Sequence, residues 1–339
     1  MAKEQLRDWI ESRLPNSRDE RPIAWELNQE LKRAGLVCDD NIDHPVCDWG
    51  SPLGYVGPVK VQRDGSHLVV QTGVGIICGF DESAYIYQWK TDRWVRRWHY
   101  ENDDYSEKKY VPEELHAVLI APTYKNPQPL VLTLATYPWC TSTWNSVIYS
   151  LWRLGPDEAS ARLLLKKRED ANRGARLPPI MGSVGQDDAL IEFISPSLDC
   201  QMLMHTAIRH YEVDGSRVKR VGPLAVSPQD FVEEWLKAPW SESLTWSERD
   251  LQKWHLAPQA CKATFHHPRM HCPKQPDLWQ IALANEDRTS TYFLVRWRPP
   301  YEFTVVDVND HPWPECSELD RTEFSFPSGT LFPVQNWRE

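Results

Sequence analysis

The stretch "CTSTWNSVIYSLWR" at residues 140–153 places a cysteine ahead of a run in which apolar and aromatic residues alternate with polar ones. The same pattern recurs in "CGFDESAYIYQWK" (78–90) and in "CQMLMHTAIRHYEV" (200–213). The cysteines that begin the three stretches are 62 and 60 residues apart. Because alternation with a period of two is typical of a half-buried β-strand, the repeat predicts a strand after each cysteine.

Each repeat is predicted to contain four strands within about 60 residues. An apolar run rich in β-branched residues precedes each cysteine, and a further strand pattern lies at each end of the repeat. A fourth copy, without the cysteine, follows the third. The connections are short and carry turn residues such as Asp214-Gly215, as antiparallel hairpins require. The predicted strands are 57–62, 67–72, 83–89, 93–101, 115–122, 130–136, 146–152, 161–169, 180–185, 189–195, 206–211, 217–226, 262–267, 278–285, 291–298 and 301–308.

Thin four-stranded sheets bury their faces by packing on one another, and radial closure removes most of their edges. Residues 55–310 therefore resemble a β-propeller in strand pattern and spacing, although no blade signature such as a Trp-Asp dipeptide repeats. The resemblance implies a mainly β fold with four blades, or five if the terminal segments add strands. Cys78, Cys140 and Cys200 would then mark the loop between the second and third strands of three blades, on one face. A two-sheet sandwich is the alternative.

The chain is predicted to have three parts. Residues 1–54 form an N-terminal extension of helices and loops. Residues 55–310 form the β-domain, which carries a helical insertion at about 227–259. Residues 311–339 form a C-terminal tail that closes or covers this domain.

Helix signals occur in the extension and in the insertion. Two amphipathic helices are predicted, at 6–14 and from Pro22 to Gly35. Ser227 and Ser247 are predicted to begin helices of the insertion. The insertion carries four tryptophans that either complete the core or line a groove: Trp235, Trp240, Trp246 and Trp254.

Composition limits the classes of partner. The 339 residues are 41% apolar, which is enough for a core. The 48 acidic side chains against 38 basic ones give a net charge of −10, which argues against nucleic acid or anionic lipid as a partner. No run approaches the roughly 20 apolar residues of a membrane span.

The cysteine content favours an oxidising compartment. Eight cysteines are an even number, and Cys38 and Cys47 are predicted to close a loop as a disulfide. The N-terminus lacks the apolar core of a signal peptide, which taken literally indicates a cytoplasmic protein. The alternative is that Met1 and Ala2 were added as a start to the mature chain of a secreted protein. The expectation is a periplasmic or secreted protein whose leader is absent from this sequence.

The face that carries the cysteine-marked loops is the predicted ligand-binding face. Aromatic groups interleaved with carboxylates suit a carbohydrate or a peptide, and packing between neighbouring blades is the alternative. Glu192 lies within an apolar strand, where it either has a raised pKa useful for acid–base chemistry or faces solvent. Asp81, Glu82 and Asp199 would share that face. The predicted ligand-binding residues are Phe80, Asp81, Trp139, Trp144, Glu192, Asp199 and His205.

The stretch "CKATFHHPRMHC" at 261–272 is the densest group of possible metal ligands. His266 and His271 are the candidate zinc or copper ligands, because imidazole and thiolate bind these metals. The alternative is a hairpin closed by a disulfide between Cys261 and Cys272. Oxygen-rich stretches at 39–44 and 307–311 suggest calcium, with solvated turns as the alternative. No cofactor is predicted beyond these metals.

Three functions compete. The first is a non-enzymatic, extracytoplasmic propeller-like protein that binds a carbohydrate or peptide. The second is a glycoside hydrolase or lyase that uses carboxylates in the central funnel. The third is an intracellular interaction scaffold. The sequence lacks the usual nucleotide-binding and serine-hydrolase motifs, so whether it is an enzyme at all stays open.

Overall fold

The computed structural model confirms a mainly β fold, with 55% of the described residues in strands. The described part of the chain contains four antiparallel sheets, two N-terminal helices and a helical insertion. The described residues are 2–14, 21–36, 55–76, 79–101, 113–122, 128–137, 144–172, 180–199, 204–222, 224–255, 263–285, 289–299, 301–316 and 318–319.

The first four strands of each sheet form a meander, in which strands that follow one another in sequence are hydrogen-bonded neighbours. Sheet 1 contains β1 (Lys60–Asp64), β2 (His67–Ile76), β3 (Gly79–Lys90) and β4 (Arg93–Tyr100). Sheet 2 contains β5 (Glu114–Ile120), β6 (Leu130–Tyr137), β7 (Trp144–Arg153) and β8 (Arg162–Asn172). Sheet 3 contains β9 (Ile180–Val184), β10 (Asp188–Pro196), β11 (Met204–Asp214) and β12 (Arg217–Arg220). Sheet 4 contains β13 (Ala263–His271), β14 (Leu278–Asn285), β15 (Ser290–Arg298) and β16 (Glu302–Asn309), with β17 (Glu318–Leu319) added beside β13.

Every predicted strand overlaps one of β1 to β16. The described strands form four separate sheets, so the two-sheet sandwich is wrong. The described part of the chain contains no helix long and apolar enough to cross a bilayer.

Sheet 1 buries its two faces against different neighbours. On β2, Leu68 and Val70 pack against the N-terminal helices, whereas Val69 between them packs against sheet 2. The side chains of a strand alternate between its faces, so one short run of apolar residues serves two interfaces. A tight turn closes the third hairpin of the sheet: Thr91 and Asp92 join β3 to β4 with positive φ angles of 44° and 68°.

Sheet 2 lies between sheets 1 and 3. Val131 and Ile148 pack towards sheet 1, and Leu132 and Tyr149 pack towards sheet 3, where they meet Phe193. Burial on both faces explains the nearly continuous apolar run "LVLTLAT" of β6, in which alternation is hard to see.

Helices α1 (Ala2–Arg13) and α2 (Arg21–Arg33) cover the outer face of sheet 1. Ile10 and Leu27 are buried there, as the amphipathic patterns predict. The Asn28 side chain ties α2 to the sheet, since its Nδ2 donates to the Val59 carbonyl and its Oδ1 accepts from the Val59 N–H, at 2.9 and 2.8 Å. Gly35 follows α2 with φ +68°, the left-handed conformation predicted to stop this helix.

The insertion begins as predicted at Ser227. Helix α3 (Pro228–Lys237) follows it, and the Ser227 hydroxyl accepts a hydrogen bond from the Asp230 N–H at 3.1 Å. Helix α4 (Trp240–Ser243) and a 3-10 turn at Leu244–Trp246 come next. α3 packs between β11 of sheet 3 and strands β14 to β16 of sheet 4.

The prediction of a second helix start at Ser247 is wrong. The Ser247 hydroxyl accepts from Trp235 Nε1 at 2.9 Å and donates to the Ser243 carbonyl at 2.8 Å, so it closes the preceding turn. Trp235 and Trp246 are buried, and Trp240 and Trp254 pack against the same core. The tryptophans therefore complete the core, which settles that alternative.

The C-terminal segment joins sheet 4 through β17. Cys316, just before β17, forms a disulfide with Cys272 at the end of β13. The predicted bond between Cys261 and Cys272 is therefore wrong, because the pairing of β17 with β13 brings a more distant cysteine alongside Cys272. The predicted disulfide of Cys38 and Cys47 and the 39–44 calcium loop lie outside the described residues.

Candidate functional site

Much of the predicted ligand-binding face lies outside the described residues. Trp139 lies outside the described residues, and the side chains of Phe80 and Trp144 are not described either. Asp81 is described and is buried by α1: its Oδ1 lies 2.7 Å from Lys3 Nζ, and both side chains are about 5% exposed. Asp81 therefore anchors the N-terminal helix and is not presented to a ligand.

Asp199, His205 and Glu192 lie on sheet 3 and are buried. The Asp199 carboxylate accepts a hydrogen bond from the Phe265 N–H at 2.8 Å, which connects sheet 3 to β13 of sheet 4. Glu192 on β10 is 8% exposed, so the alternative in which it faces solvent is wrong. Its cross-strand neighbours are Met181 and Ile208.

His205 is surrounded by two carboxylates of α3. Its Nε2 lies 2.9 Å from Glu234 Oε1 and its Nδ1 lies 3.2 Å from Glu233 Oε2. The Leu198 N–H donates to Glu233 at 3.1 Å, and the Ser197 hydroxyl also donates to this carboxylate. All of these groups are less than a tenth exposed. His205 thus joins sheet 3 to the insertion.

Arg209 continues this buried ionic network to sheet 2. Its Nη1 lies 2.7 Å from Glu234 Oε2, and its Nε lies 3.0 Å from an oxygen of Glu169 on β8. Arg220 Nη2 also lies 3.0 Å from Glu234. Burial opposes the ionisation of Glu234, but Arg209 and His205 outweigh it and hold its pKa well below the usual range. The ionic network thus compensates its buried charges and joins β8, β11, β12 and α3.

Glu82 is a half-buried side chain at the interface of sheets 1 and 2. Its Oε2 accepts from the Leu115 N–H at 2.6 Å and from Gln71 Nε2 at 3.1 Å. Burial raises its pKa to about 7, against the opposing effects of Lys60 and these hydrogen bonds. A carboxyl that titrates near neutrality can act as an acid or a base.

The two proposed metal ligands lie on β13. The side chain of His266 is outside the described residues, and the strand is irregular between His266 and Met270. His271 Nε2 lies 3.2 Å from the Pro276 carbonyl, and its ring packs on Trp279. Within the described residues, no three His, Cys, Asp or Glu side chains are grouped as a metal site. Near the second proposed calcium stretch, Asp307 pairs with Arg249 and Asp310 pairs with His311.

A groove of about 660 Å³ lies at the opposite end of sheet 3 from the cysteine-marked loops. Its walls are the β9–β10 turn and the β11–β12 hairpin. The lining residues are Gln186, Asp187, Asp188, His210, Glu212, Val213, Asp214, Arg217 and Lys219. Four carboxylates therefore share the groove with two cationic side chains and with His210, whose Nε2 lies 3.7 Å from Asp188 Oδ2.

The charges of the groove follow from strand register. Glu212 lies opposite Lys219 and Asp214 lies opposite Arg217, which forms two complementary cross-strand pairs. Asp188, however, lies opposite Glu212, so two carboxylates are adjacent across β10 and β11. Like charges in this position destabilise a sheet, and a cation between them would relieve the repulsion.

A smaller cavity of about 140 Å³ lies at the same end of the sheets, where β1, β5 and β9 approach one another. Its polar lining includes Gln62, Asp64 and Ser183. Sequence reasoning missed both concavities. The signal for the groove was present in "RHYEVDGSRVKR" (209–220), where charged residues alternate on both sides of an Asp-Gly turn. The cavity has no comparable signal, because it is formed by strands from three sheets.

Comparison with protein-family models and with curated proteins finds no match to this chain.

Proposed function

We propose that this protein is a non-enzymatic, extracytoplasmic binding module, built as a propeller-like array, whose groove on sheet 3 binds a basic segment of another polypeptide. The observation that carries the proposal is the groove itself. It is large enough for an extended peptide, and its carboxylates outnumber its cationic side chains, with Asp188 and Glu212 directly opposed.

The order and packing of the sheets support the propeller-like array. The first four strands of each sheet form a meander, and sheets 1, 2 and 3 stack in sequence order through apolar faces. The first strands of these three sheets surround one cavity, as the innermost blade strands of a propeller do. Helix α3 continues the array from sheet 3 to sheet 4. Closure of sheet 4 on sheet 1 would complete the ring.

The charge pattern favours a peptide over a carbohydrate. Among the described residues that line the groove there is no Trp, Tyr or Phe on which a sugar ring could stack. His210, Glu212 and Asp214 recur at every second position of β11, which matches the spacing of side chains on one face of an extended peptide. The net charge of −10 also argues against a polyanionic partner.

The disulfide between Cys272 and Cys316 supports the extracytoplasmic location, because such bonds persist in oxidising compartments. Counting free thiols under denaturing conditions, in protein from its native source, tests this. Eight free thiols would instead favour the intracellular scaffold.

Peptide binding tests the proposed function directly. Fluorescence anisotropy would compare two labelled peptides that carry lysine or glutamate at alternate positions. We expect saturable binding of the lysine peptide alone, weakening as salt increases. The double variant Asp188→Asn, Glu212→Gln should lose at least fivefold in affinity. Glu302→Gln is the matched control, because it removes an exposed carboxyl on β16, and this variant should bind like the parent.

Binding of a panel of glycans, measured by tryptophan fluorescence, tests the carbohydrate alternative. Saturable binding of a neutral glycan that is unaffected by the groove variants, without binding of the lysine peptide, would overturn the proposal.

The second candidate is a carboxylate-dependent glycoside hydrolase or lyase, which Glu82 favours because burial raises its pKa to about 7. Product release from a glycoside panel tests it. Turnover that is lost in Glu82→Gln or in Glu192→Gln, with folding retained, would establish an enzyme.

A further inference from the structure

The cavity between the first strands has a polar floor and apolar walls. Gln62 and Asp64 are two residues apart on β1 and therefore point to the same face of that strand. Ser183 contributes a hydroxyl from β9. The remaining lining residues are Val69, Val118, Leu119, Ile120, Gly182 and Val184.

Two acceptor groups of this cavity lack partners. Within the described part of the chain, the Gln62 Oε1 is buried and has no hydrogen-bond partner. The Asp64 carboxylate likewise makes no hydrogen bond or ion pair with the described residues, and burial raises its pKa. Buried polar atoms in folded proteins are nearly always paired, so the Gln62 Oε1 is suited to a donor supplied from outside the chain, and the partly exposed Asp64 carboxylate can accept from the same donor.

The size and the walls of the cavity restrict that donor. A cavity of roughly 150 Å³ holds a molecule the size of benzene, which has six non-hydrogen atoms. The apolar walls favour an aliphatic or aromatic stem. Gln62, Asp64 and Ser183 are partly exposed, so the cavity opens to the surface.

We propose that this cavity is a binding site for a small primary ammonium compound of about six non-hydrogen atoms. The ammonium group donates to the Gln62 Oε1 and to the Asp64 carboxylate, and the stem packs between Val69, Val118 and Val184. A neutral alcohol supplies one donor and no charge, and a carboxylate ligand is repelled by Asp64. The site is separate from the peptide groove and does not depend on it.

The groups around Asp64 keep its charge uncompensated. His67 lies opposite it on β2, and burial together with Arg97 lowers the pKa of His67 to about 4, so this imidazole is neutral at pH 7. The cavity-lining residues of β5 and β9 do not titrate. The neighbouring Arg63 projects from the other face of β1, where its Nε donates to the Gly65 carbonyl. An ammonium ligand would supply the missing positive charge.

Calorimetry on the full chain with n-pentylammonium, pentan-1-ol and pentanoate tests the proposal. We expect saturable binding of n-pentylammonium, at least tenfold weaker binding of the alcohol, and none of pentanoate. Asp64→Asn should weaken n-pentylammonium binding at least tenfold. Affinity should rise with pH across the acid range in the parent, because Asp64 ionises, and this rise should be absent in Asp64→Asn.

Two further variants keep the result interpretable. Ser183→Leu, which fills the cavity from β9, should abolish binding while leaving Asp64 in place. The groove variant Asp188→Asn, Glu212→Gln should bind n-pentylammonium within twofold of the parent, which separates this site from the proposed peptide groove. Near-ultraviolet circular dichroism would verify that each variant is folded. Equal affinities for the amine and the alcohol, or unchanged affinity in folded Asp64→Asn, would overturn the proposal.

Discussion

Arg209 on β11 and Glu234 on α3 form an ion pair in which Nη1 lies 2.7 Å from Oε2, and their side chains are only 8% and 3% exposed. The pair connects the insertion to sheet 3, and Arg209 extends the connection to Glu169 of sheet 2. Removing one member of such a pair leaves a buried charge without compensation, which is far more costly than losing a surface pair.

We therefore expect Glu234→Gln to lower the free energy of unfolding by about 3 kcal/mol. Arg209 and Arg220 both lose an anionic partner in this variant, although Arg209 keeps Glu169. Urea denaturation followed by tryptophan fluorescence would measure the change. The exposed pair of Arg13 and Glu30, at 49% and 39% exposure, supplies the control, and Glu30→Gln should cost less than about 1 kcal/mol. Equal losses in the two variants would contradict a stabilising role for the buried ionic network.

Glu82 should make stability depend on pH. Its pKa is raised from 4.5 to about 7, so its contribution is fully present below pH 4.5 and is lost as pH rises through 7. A shift of this size corresponds to roughly 3 kcal/mol. Glu82→Gln should retain the acceptor for the Leu115 N–H and should not titrate, so its stability relative to the parent should increase between pH 4.5 and 8. Denaturation midpoints at several pH values would show this.

The control for that experiment is Glu302→Gln, which removes an exposed carboxyl. Its stability difference from the parent should stay flat over the same pH range. A flat difference for Glu82→Gln as well would show that burial does not raise the pKa of Glu82.

The Cys272–Cys316 disulfide should hold the C-terminal segment against sheet 4. The two residues are 44 positions apart, for which chain-entropy arguments give a stabilisation of about 4 kcal/mol. Cys316→Ser should lower the thermal midpoint and should allow limited proteolysis to remove the segment after Trp313, including β17, while leaving β1 to β16 intact. The substitution removes this disulfide alone, whereas a reductant would act on every disulfide of the protein. Protection of the segment in Cys316→Ser would show that the pairing of β17 alone is sufficient.

Gly182 on β9 should not tolerate a side chain. A Cβ there would lie 2.8 Å from the Leu190 carbonyl and 3.0 Å from Leu132 Cδ2, so backbone and core atoms would have to move. We expect Gly182→Ala to destabilise the protein by about 1–3 kcal/mol. Gly222→Ala is the matched control, since its Cβ would meet nothing within 4 Å and should change stability by less than about 0.5 kcal/mol. Thermal denaturation of both variants would distinguish crowding from a general effect of replacing glycine.

The strands and helices were predictable because their signals are local. Alternation over a few residues marks β3 and β7, Asp214 with Gly215 marks a hairpin turn, and Ser227 marks the start of α3. Each signal depends on backbone geometry within a few residues, which the sequence contains directly. The same reasoning failed at Ser247, where a hydroxyl suited to begin a helix is instead bonded to Trp235 and Ser243.

The site could be predicted only in part, because side-chain environments depend on distant contacts. Asp81 and His205 were expected to face a ligand, but α1 and α3 supply Lys3, Glu233 and Glu234 to bind them. The pairing of β17 with β13 likewise decided the partner of Cys272.

The amino-acid sequence by itself determined where the strands lie and which side chains alternate along them, since both follow from the period of the backbone. Only the tertiary structure decided that β1, β5 and β9 enclose a cavity with Gln62 and Asp64 at its floor. Those strands are far apart in sequence. The free energy that brings them together comes from burying the faces of whole sheets, and no single segment can supply it alone.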